Sequence, residues 1–413
     1  MEAEQMMRVE EALGRVLAHF APLGAEEVPL LAALDRVLAE DVHSPLAIPP
    51  HDNTAMDGYA LRSEDTTAAT TASPVRLRVA AELPAGYVAE GPVEPGTAVR
   101  IMTGAPIPPG ADAVAEFEVV ERRGPEILLR RPVSAGRNIR RAGEDVGLGE
   151  LVLARGTLLR PADIGVLASL GRTGVAVVRR PRVAILSTGD EVASPGESLR
   201  PGQIYDANAY SVAALALRSG AEPILLGVAR DRREELAAVL AEGLEMGADL
   251  LITSGGVSVG DFDVVKEVLA AEGRIEFWLV RMKPGKPLAF GTIRGVPLLG
   301  LPGNPVSAMV SFETFARPAI LRMSGRTAFE RPRVEARLLD GLKRKDGRRH
   351  YLRVQVSRTA DGYEARLTGD QGSGILTSVA RANGLAVVPE ERSWLAPGAL
   401  VPVILFDQPE ETW

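Results

Sequence analysis

The chain has 413 residues, 46% of them hydrophobic, with 47 basic against 54 acidic side chains and a formal charge of −7. That length accommodates two to four domains of about 100–200 residues with packed cores, and the acidic balance argues against a general nucleic-acid binder. Cysteine is absent and His19, His43, His51 and His350 are the four histidines. Disulfides, thiolate metal sites and cysteine nucleophiles are therefore excluded, and a histidine triad is disfavoured.

Residues 5 to 20 place Met6, Val9, Leu13, Val16, Leu17 and Phe20 on one helical face. The segment Met1 to Glu11 is acidic and amphipathic, and no eighteen uncharged apolar residues run together anywhere. The expectation is a cytoplasmic protein without a transmembrane helix. A second helix is expected near Pro29 to Asp41, where Leu30, Leu31, Leu34, Val37 and Leu38 repeat similarly. A proline-bearing extended stretch, Ser44 to Pro50, then leads into His51 to Ala60. Within it, Asp57 before Gly58 reads locally as a turn residue.

Short strands separated by glycine and proline follow at Val75–Ala81, Thr97–Met102, Ala113–Glu121 and Glu126–Arg130. They describe a small β-rich inserted module, with Met102-Thr103-Gly104-Ala105 at the end of one strand. Pro161 starts a short helix that stops at Gly171.

At Arg182 strands and helices begin to alternate. Strand Val183–Leu186 runs into Ser187-Thr188-Gly189-Asp190-Glu191. Helix Ala209–Arg218, strand Pro223–Val228 and helix Arg232–Glu245 come next, with Asp231 and Glu234 forming a capping-box variant. The apolar strand Asp249–Thr253 meets Ser254-Gly255-Gly256-Val257-Ser258-Val259-Gly260-Asp261 and a helical pattern from Phe262 to Glu272. Strands Glu276–Val280, Leu288–Gly291 and Val296–Leu299 and a helix from Pro305 to about Met323 complete a three-layer α/β domain with a mainly parallel sheet. Its ligand is expected at the carboxyl ends of the strands.

After Pro332 the texture becomes all-β. Val334–Leu338, His350–Arg358, Tyr363–Leu367, Leu385–Val388 and Val401–Phe406, with a hairpin signal at Asp361-Gly362, make a small barrel or sandwich.

The densest chemistry lies between Asp249 and Pro305. A strand, a glycine turn and a helix aim backbone N–H groups and a positive helix end at an anion. Lys283-Pro284-Gly285-Lys286-Pro287 adds two compact cations between prolines. Leu301-Pro302-Gly303-Asn304-Pro305-Val306-Ser307 leads into another helix, with Pro305 in its first turn. Any one turn alone reads as a βα connection; three within sixty residues point to a site for a phosphorylated or oxyanionic ligand. Local readings also stand beside this one. Glu191 and Asp263 suit the first turns of helices, Asp231 suits a cap, and the lysines suit a solvated pair.

Asp57-Gly58-Tyr59-Ala60, Met102-Thr103-Gly104-Ala105, Thr188-Gly189-Asp190-Glu191, Ser254-Gly255-Gly256-Val257-Ser258 and the lysine and Leu301–Pro305 motifs stand in one order. Together they make the chain resemble, over essentially its whole length, the molybdopterin molybdenumtransferases, bacterial relatives of the gephyrin E domain. The resemblance implies a multidomain α/β plus β fold. The expected divisions are 1–45 with 135–180 as a discontinuous N-terminal domain, 46–134 as the inserted β-rich module, 181–328 as the α/β molybdopterin-binding domain and 329–413 as a C-terminal small β-barrel. It implies an elongated homodimer in which the α/β region meets the partner's inserted module, and contact with other proteins of molybdenum cofactor biosynthesis. The implied reaction takes adenylylated molybdopterin and molybdate to molybdenum cofactor and AMP, assisted by Mg2+.

Carried onto this sequence, the resemblance gives catalytic roles to Asp57, Thr103, Glu191, Asp231, Asp263, Lys283 and Lys286. Substrate binding falls to Thr188, Gly189, Asp190, Ser254, Gly255, Gly256, Ser258, Pro302, Gly303, Asn304, Pro305 and Ser307, with Arg353 and Ser378 from the C-terminal domain. Asp190, Glu191, Asp261 and Asp263 are the metal candidates, since magnesium takes carboxylate and water oxygens. The competing readings are a non-catalytic molybdopterin-binding or scaffold protein and a molybdopterin adenylyltransferase. The extra regions at 1–180 and 330–413 disfavour the adenylyltransferase. The acidic set beside both lysines disfavours the scaffold.

Overall fold

A computed structural model describes residues 6–230, 232–255, 273–343 and 346–406. The chain divides into two compact units, Glu40–Gly174 and the combination of Met1–Ala39 with Val175–Trp413.

The larger unit begins with α1 (Val9–Leu17), whose Ala12 and Val16 are fully buried. Glu10 and Glu11 occupy its first turn, where the helix dipole favours acids. The helix expected over Pro29–Asp41 does not form. Only one 3-10 turn, Leu30–Ala33, appears, and Leu31 is 84% exposed. Asp35 takes a left-handed conformation with φ of 60°, and Leu38 bridges Val177 in extended geometry. Pairing with the 174–178 strand buries Val37 and Leu38 without a helix, so tertiary contact overrides the local period.

Within Glu40–Gly174 the strands are β1 (Gly58–Leu61), β2 (Val75–Leu83), β3 (Thr97–Ile101), β4 (Ala113–Glu116), β5 (Val120–Arg123) and β6 (Glu126–Leu129). They form one sheet in the order β4-β1-β3-β2-β6-β5, antiparallel except for the β2–β3 pair. Tyr59, Leu77 and Ile127 bury one face and Ala60, Ile101 and Val114 the other. All four residues of β1 are buried, and a Cβ at Gly58 would stand 2.1 Å from the Ala115 carbonyl oxygen. Glycine is required there because the neighbouring strand leaves no room. The single strand expected over Ala113–Glu121 is instead two, split by a 3-10 turn at Phe117–Val119 whose first amide bonds the Asp57 carbonyl. The unit also holds α2 (Pro161–Ser169).

The α/β region contains β7 (Arg182–Thr188), α3 (Asn208–Arg218), β8 (Glu222–Ala229), α4 (Arg233–Glu245), β9 (Leu250–Ser254), β10 (Gly273–Leu279), β11 (Pro287–Ile293), β12 (Val296–Leu301), α5 (Pro305–Ser311) and α6 (Arg317–Met323). The sheet order is β8-β7-β9-β12-β11-β10. Its first four strands are parallel; β11 and β10 join by antiparallel pairing. Side chains of α1, α3, α5 and α6 cover one face through Val183, Ile185, Ile252 and Leu299. Leu236 and Leu240 of α4 cover the other through Ala184, Leu186, Leu251 and Leu298. Three layers result, as expected.

The helix expected from Pro305 to Met323 is interrupted by a π turn at Phe312–Ala316. Pro318 has no N–H to offer the Thr314 carbonyl, which relaxes the i→i−4 ladder at this point. The Asp231 cap lies outside the described residues; Arg232, the residue preceding α4, makes no side-chain cap.

The C-terminal region holds β13 (Arg333–Leu338), β14 (Arg349–Thr359), β15 (Gly362–Leu367), α7 (Leu376–Ala380), β16 (Gly384–Val388) and β17 (Ala399–Leu405). They close in the order β14-β15-β13-β17-β16, with β16 pairing back onto β14. Of barrel and sandwich, the fold is the closed barrel, filled by Leu338, Val354, Ala386 and Val403. A two-residue strand, Met282–Lys283, leaves the α/β region and pairs in parallel with Arg349–His350 of β14. No helix among the described residues is long and apolar enough to cross a membrane.

Candidate active site

Strands β7, β9 and β12 lie side by side with Ser187 opposite Ser254 and Ser254 opposite Leu301. Their carboxyl ends therefore deliver the 188–191, 254–255 and 301–305 segments to one place, where α/β sheets bind ligands. The three segments touch through backbone. Gly255 has φ of 99°, and a Cβ there would lie 2.7 Å from the Thr188 carbonyl oxygen and 2.8 Å from its hydroxyl. Gly303 packs alongside, where a Cβ would stand at van der Waals distance, 3.6 Å, from the Gly255 Cα. Gly189, at φ of 136°, is covered by the Glu191 carboxylate, whose Oε2 would be 2.5 Å from a Cβ. Only glycine fits at positions 189 and 255.

One side chain ties the turns together. Asn208, at the start of α3, donates from Nδ2 to Ser254 Oγ and to the Gly303 carbonyl, both at 2.7 Å. Asp206, itself buried, accepts from the Ala209 amide at 2.9 Å and fixes the helix start. The cavity they enclose, about 220 Å³, is lined by Thr188, Gly189, Glu191, Asp206, Asn208, Ser254, Gly255, Gly303 and Pro305. Thr188 Oγ1 is buried beside it with no hydrogen-bond partner. Such a buried hydroxyl implies a ligand or water.

A larger cleft of about 1,340 Å³ shares Glu191, Ile204 and Gly303 with this cavity. Lys283, Lys286, Pro302, Asn304 and Ser307 form its α/β wall, and Lys343, Asp346, Arg348, His350, Arg353, Asp370 and Gln371 its barrel wall. Lys283 is half exposed, with Nζ 3.7 Å from Asp346 Oδ2. Its peptide to Pro284 is cis, and its backbone belongs to the strand paired with β14. Asp346 also accepts from Arg348 at 2.9 Å and contacts His350 Nε2 with both oxygens at 2.9 and 3.0 Å. Burial opposes ionisation of Asp346, yet the hydrogen bonds and charges of His350 and Arg348 hold its carboxyl well below the usual carboxylate range.

Arg353 and Ser378 meet, buried on the face of β14 opposite Leu352, Val354 and Val356, which fill the barrel. Arg353 is 1% exposed and donates to Ser378 Oγ at 3.1 Å and to the Gly372 carbonyl at 3.0 Å. Burial pushes its guanidinium below the ordinary value, partly offset by the Asp370 carboxylate. The pair therefore holds the 370–373 loop that lines the cleft. At the start of α5, the Val306 amide donates to the Ser373 carbonyl of that loop at 3.1 Å.

In the Glu40–Gly174 unit, Asp57 and Thr103 also come together. Asp57 Oδ1 accepts from the Thr103 hydroxyl at 2.6 Å and from its amide at 2.7 Å. These bonds hold the exposed carboxyl below its usual range. Gly256, Ser258, Asp261, Asp263 and Asp231 lie outside the described residues. Glu191 is exposed and lines both the cavity and the cleft, Asp190 is exposed without lining either, and no group of three histidines or carboxylates able to hold a metal occurs among the described residues. The Glu191 carboxylate and the orphaned Thr188 hydroxyl lining one cavity are oxygen donors of the kind magnesium takes. Sequence reasoning missed Asn208, which reads as a helix-start residue, and Asp346 with His350. The charge-dense run Asp346-Gly347-Arg348-Arg349-His350 was the available signal for the second pair.

Three family models tile the chain: the MoeA N-terminal region (domain I and II) over residues 7–171, the "Probable molybdopterin binding domain" over 184–322 and the MoeA C-terminal region (domain IV) over 335–406. The chain is 41% identical over 382 residues to molybdopterin molybdenumtransferase 2 of Mycobacterium tuberculosis, covering 91% of this chain and 94% of that one. The chain belongs to the molybdopterin molybdenumtransferase family. The Haemophilus influenzae molybdopterin molybdenumtransferase is 37% identical, with 97% of this chain and 99% of the relative covered. Among solved structures, the molybdopterin biosynthesis moea protein of Pyrococcus horikosii superposes with a TM-score of 0.84 at 37% identity, covering 98% of this chain and all of that one. The enzyme is thus a transferase that inserts molybdenum in molybdenum cofactor biosynthesis, and the cleft described above lies in its molybdopterin-binding and C-terminal regions.

Proposed function

We propose that this molybdenumtransferase acts on adenylylated molybdopterin and molybdate, releasing AMP and forming molybdenum cofactor with Mg2+, as a cytoplasmic homodimer. The observation that carries this reading is the continuity of the glycine-walled cavity with the lysine-bearing cleft. A pyrophosphate-linked substrate needs close backbone approach at one end and mobile positive charge at the other. In this reading the Thr188–Gly189, Ser254–Gly255 and Pro302–Asn304 segments seat phosphate and pterin, with the Ser307 hydroxyl and Pro305 at the same wall. Lys283 and Lys286 receive molybdate. Water attacks phosphorus, the phosphoanhydride P–O bond breaks and AMP leaves; the two dithiolene thiols then bond molybdenum, and their two protons leave with one molybdate oxygen as water.

Asp190 and Glu191, with Asp261 and Asp263, would hold magnesium, which supplies charge neutralisation at the phosphates when bound. Asp57, kept ionised by Thr103, orients water or a substrate hydroxyl; in the dimer we propose, that pair belongs to the module meeting a second subunit's α/β region. Asp231, outside the described residues, keeps in this reading the catalytic role that the family motif gives it.

The test is AMP release from adenylylated molybdopterin with and without molybdate in magnesium buffer. Molybdate-dependent release, lowered at least about 10-fold but still measurable in Glu191→Ala and Lys283→Ala proteins that keep their fold, is the expected result. Tight substrate binding with no AMP release under any divalent cation would overturn the adenylylated-substrate reading in favour of a binding protein.

A further inference from the structure

We infer that Asp346 is a positioning residue for Lys283. The inference deepens the proposed role of Lys283 as the cation that receives an oxyanion, and rests on it. An ammonium on a four-carbon stem, half exposed, has rotamer freedom that an ordered site must restrict. The backbone of Lys283 is already fixed. Its strand pairs with His350, and the loop behind it packs so tightly that a Cβ at Gly285 would lie 2.6 Å from Ser311 Oγ. What remains is the side chain, and the acid opposite it is Asp346.

Asp346 is built to stay still. His350 Nε2 lies 2.9 and 3.0 Å from its two oxygens, and Arg348 donates at 2.9 Å. The contact with Lys283 is different in kind: at 3.7 Å it is beyond a hydrogen bond but within coulombic reach. A carboxylate already bonded to two other groups is a guide for the ammonium and a poor trap. It holds Lys283 over the cleft and releases it to an incoming dianion without breaking a hydrogen bond.

Charge alone predicts the opposite consequence. Removing an acid from this wall makes the cleft more positive, so an anionic substrate would bind more tightly at unchanged turnover. Positioning predicts that turnover falls and that KM for molybdate does not improve.

The experiment measures kcat and KM for molybdate in molybdenum cofactor formation, with thermal unfolding as the control. The proteins are Asp346→Asn, which keeps size and hydrogen-bonding shape, Asp346→Glu, Lys283→Ala and the Asp346→Asn/Lys283→Ala double variant. The expected result is a kcat loss of about 10- to 100-fold in Asp346→Asn, the range misplacement of a reacting group produces. KM should be no lower, and Asp346→Glu should recover part of the rate. In the Lys283→Ala background, Asp346→Asn should cost no more than about 2-fold further, since the two act as one unit.

Unchanged kcat in Asp346→Asn, or a lower KM at unchanged kcat, overturns the inference. So does the same loss in both backgrounds, which marks a purely structural acid. If Lys283→Ala is damaged and Asp346→Asn is not, only the role of Asp346 falls. If Lys283→Ala is silent, the proposed role of Lys283 falls first and this inference with it.

Discussion

Replacing Asn208 with alanine removes a side chain that bonds two of the three ligand-facing turns at once. The two hydrogen bonds, both 2.7 Å, are each worth about 1 kcal/mol net. Ser254 is buried, so losing its partner adds a desolvation cost of about 1–3 kcal/mol. The adjoining cavity is open enough to supply replacement water, which offsets that added cost and leaves the two hydrogen bonds, about 2 kcal/mol. If the loss falls on the ligand-binding geometry, it weakens the pterin substrate by roughly 30-fold at about 1.4 kcal/mol per decade. Asn208→Asp should be worse than alanine, because its carboxylate would face the Gly303 carbonyl and the substrate phosphates. The assays are substrate affinity by titration and hydrogen exchange at the Ser254 and Gly303 amides, with Leu217→Ala, exposed near the far end of the same helix, as control. Wild-type affinity and unchanged exchange in Asn208→Ala would refute the cross-link as an organising element.

Gly255→Ala forces a side chain against Thr188 at 2.7 Å in a left-handed backbone. It should cost about 1–3 kcal/mol in local strain and weaken substrate binding at least 10-fold, read by titration at constant secondary structure. Arg353→Leu removes the donors that hold the 370–373 loop. It should lower stability by about 2–4 kcal/mol and deprotect the Gly372–Ser373 region in hydrogen exchange. The Arg137 hydrogen bond, against the opposing effect of burial and with help from Asn138, lowers the Glu116 carboxyl from 4.5 to about 2. A depressed acid stabilises the fold fully above its unfolded value and loses that contribution as pH falls. Stability of the Glu40–Gly174 unit should therefore decline between about pH 4.5 and 2. Glu116→Gln should flatten that slope in acid-unfolding curves.

Much of the α/β region was legible because its strands are continuous apolar runs and its turns carry glycines that the packing demands. Gly255 and Gly189 each stand at a positive φ where a Cβ would strike a neighbour, so composition and contact tell one story. The region around Leu31 and Leu38 was misread because its apolar spacing fits a helix, whereas a strand nearly 140 residues later claims Val37 and Leu38. No local window contains that information. Asn208 escaped notice for a related reason: its partners, Ser254 and Gly303, are 46 and 95 residues away. Asp57 and Thr103, also 46 residues apart, were linked by family motif rather than by any local rule, and the hydrogen bonds between them give the pairing a physical cause.

The strand Met282–Lys283 lies in the α/β stretch of sequence but hydrogen-bonds as an edge of the C-terminal barrel. Boundaries drawn along the chain therefore differ from boundaries drawn by backbone pairing. A chimera that exchanges residues 335–406 for the same region of a relative would sever the lysine loop from its register partners, Arg349 and His350, even with every α/β residue retained. Grafts that carry residues 280–286 together with the barrel keep that register, and they are the natural cut for recombining specificity between members of this family.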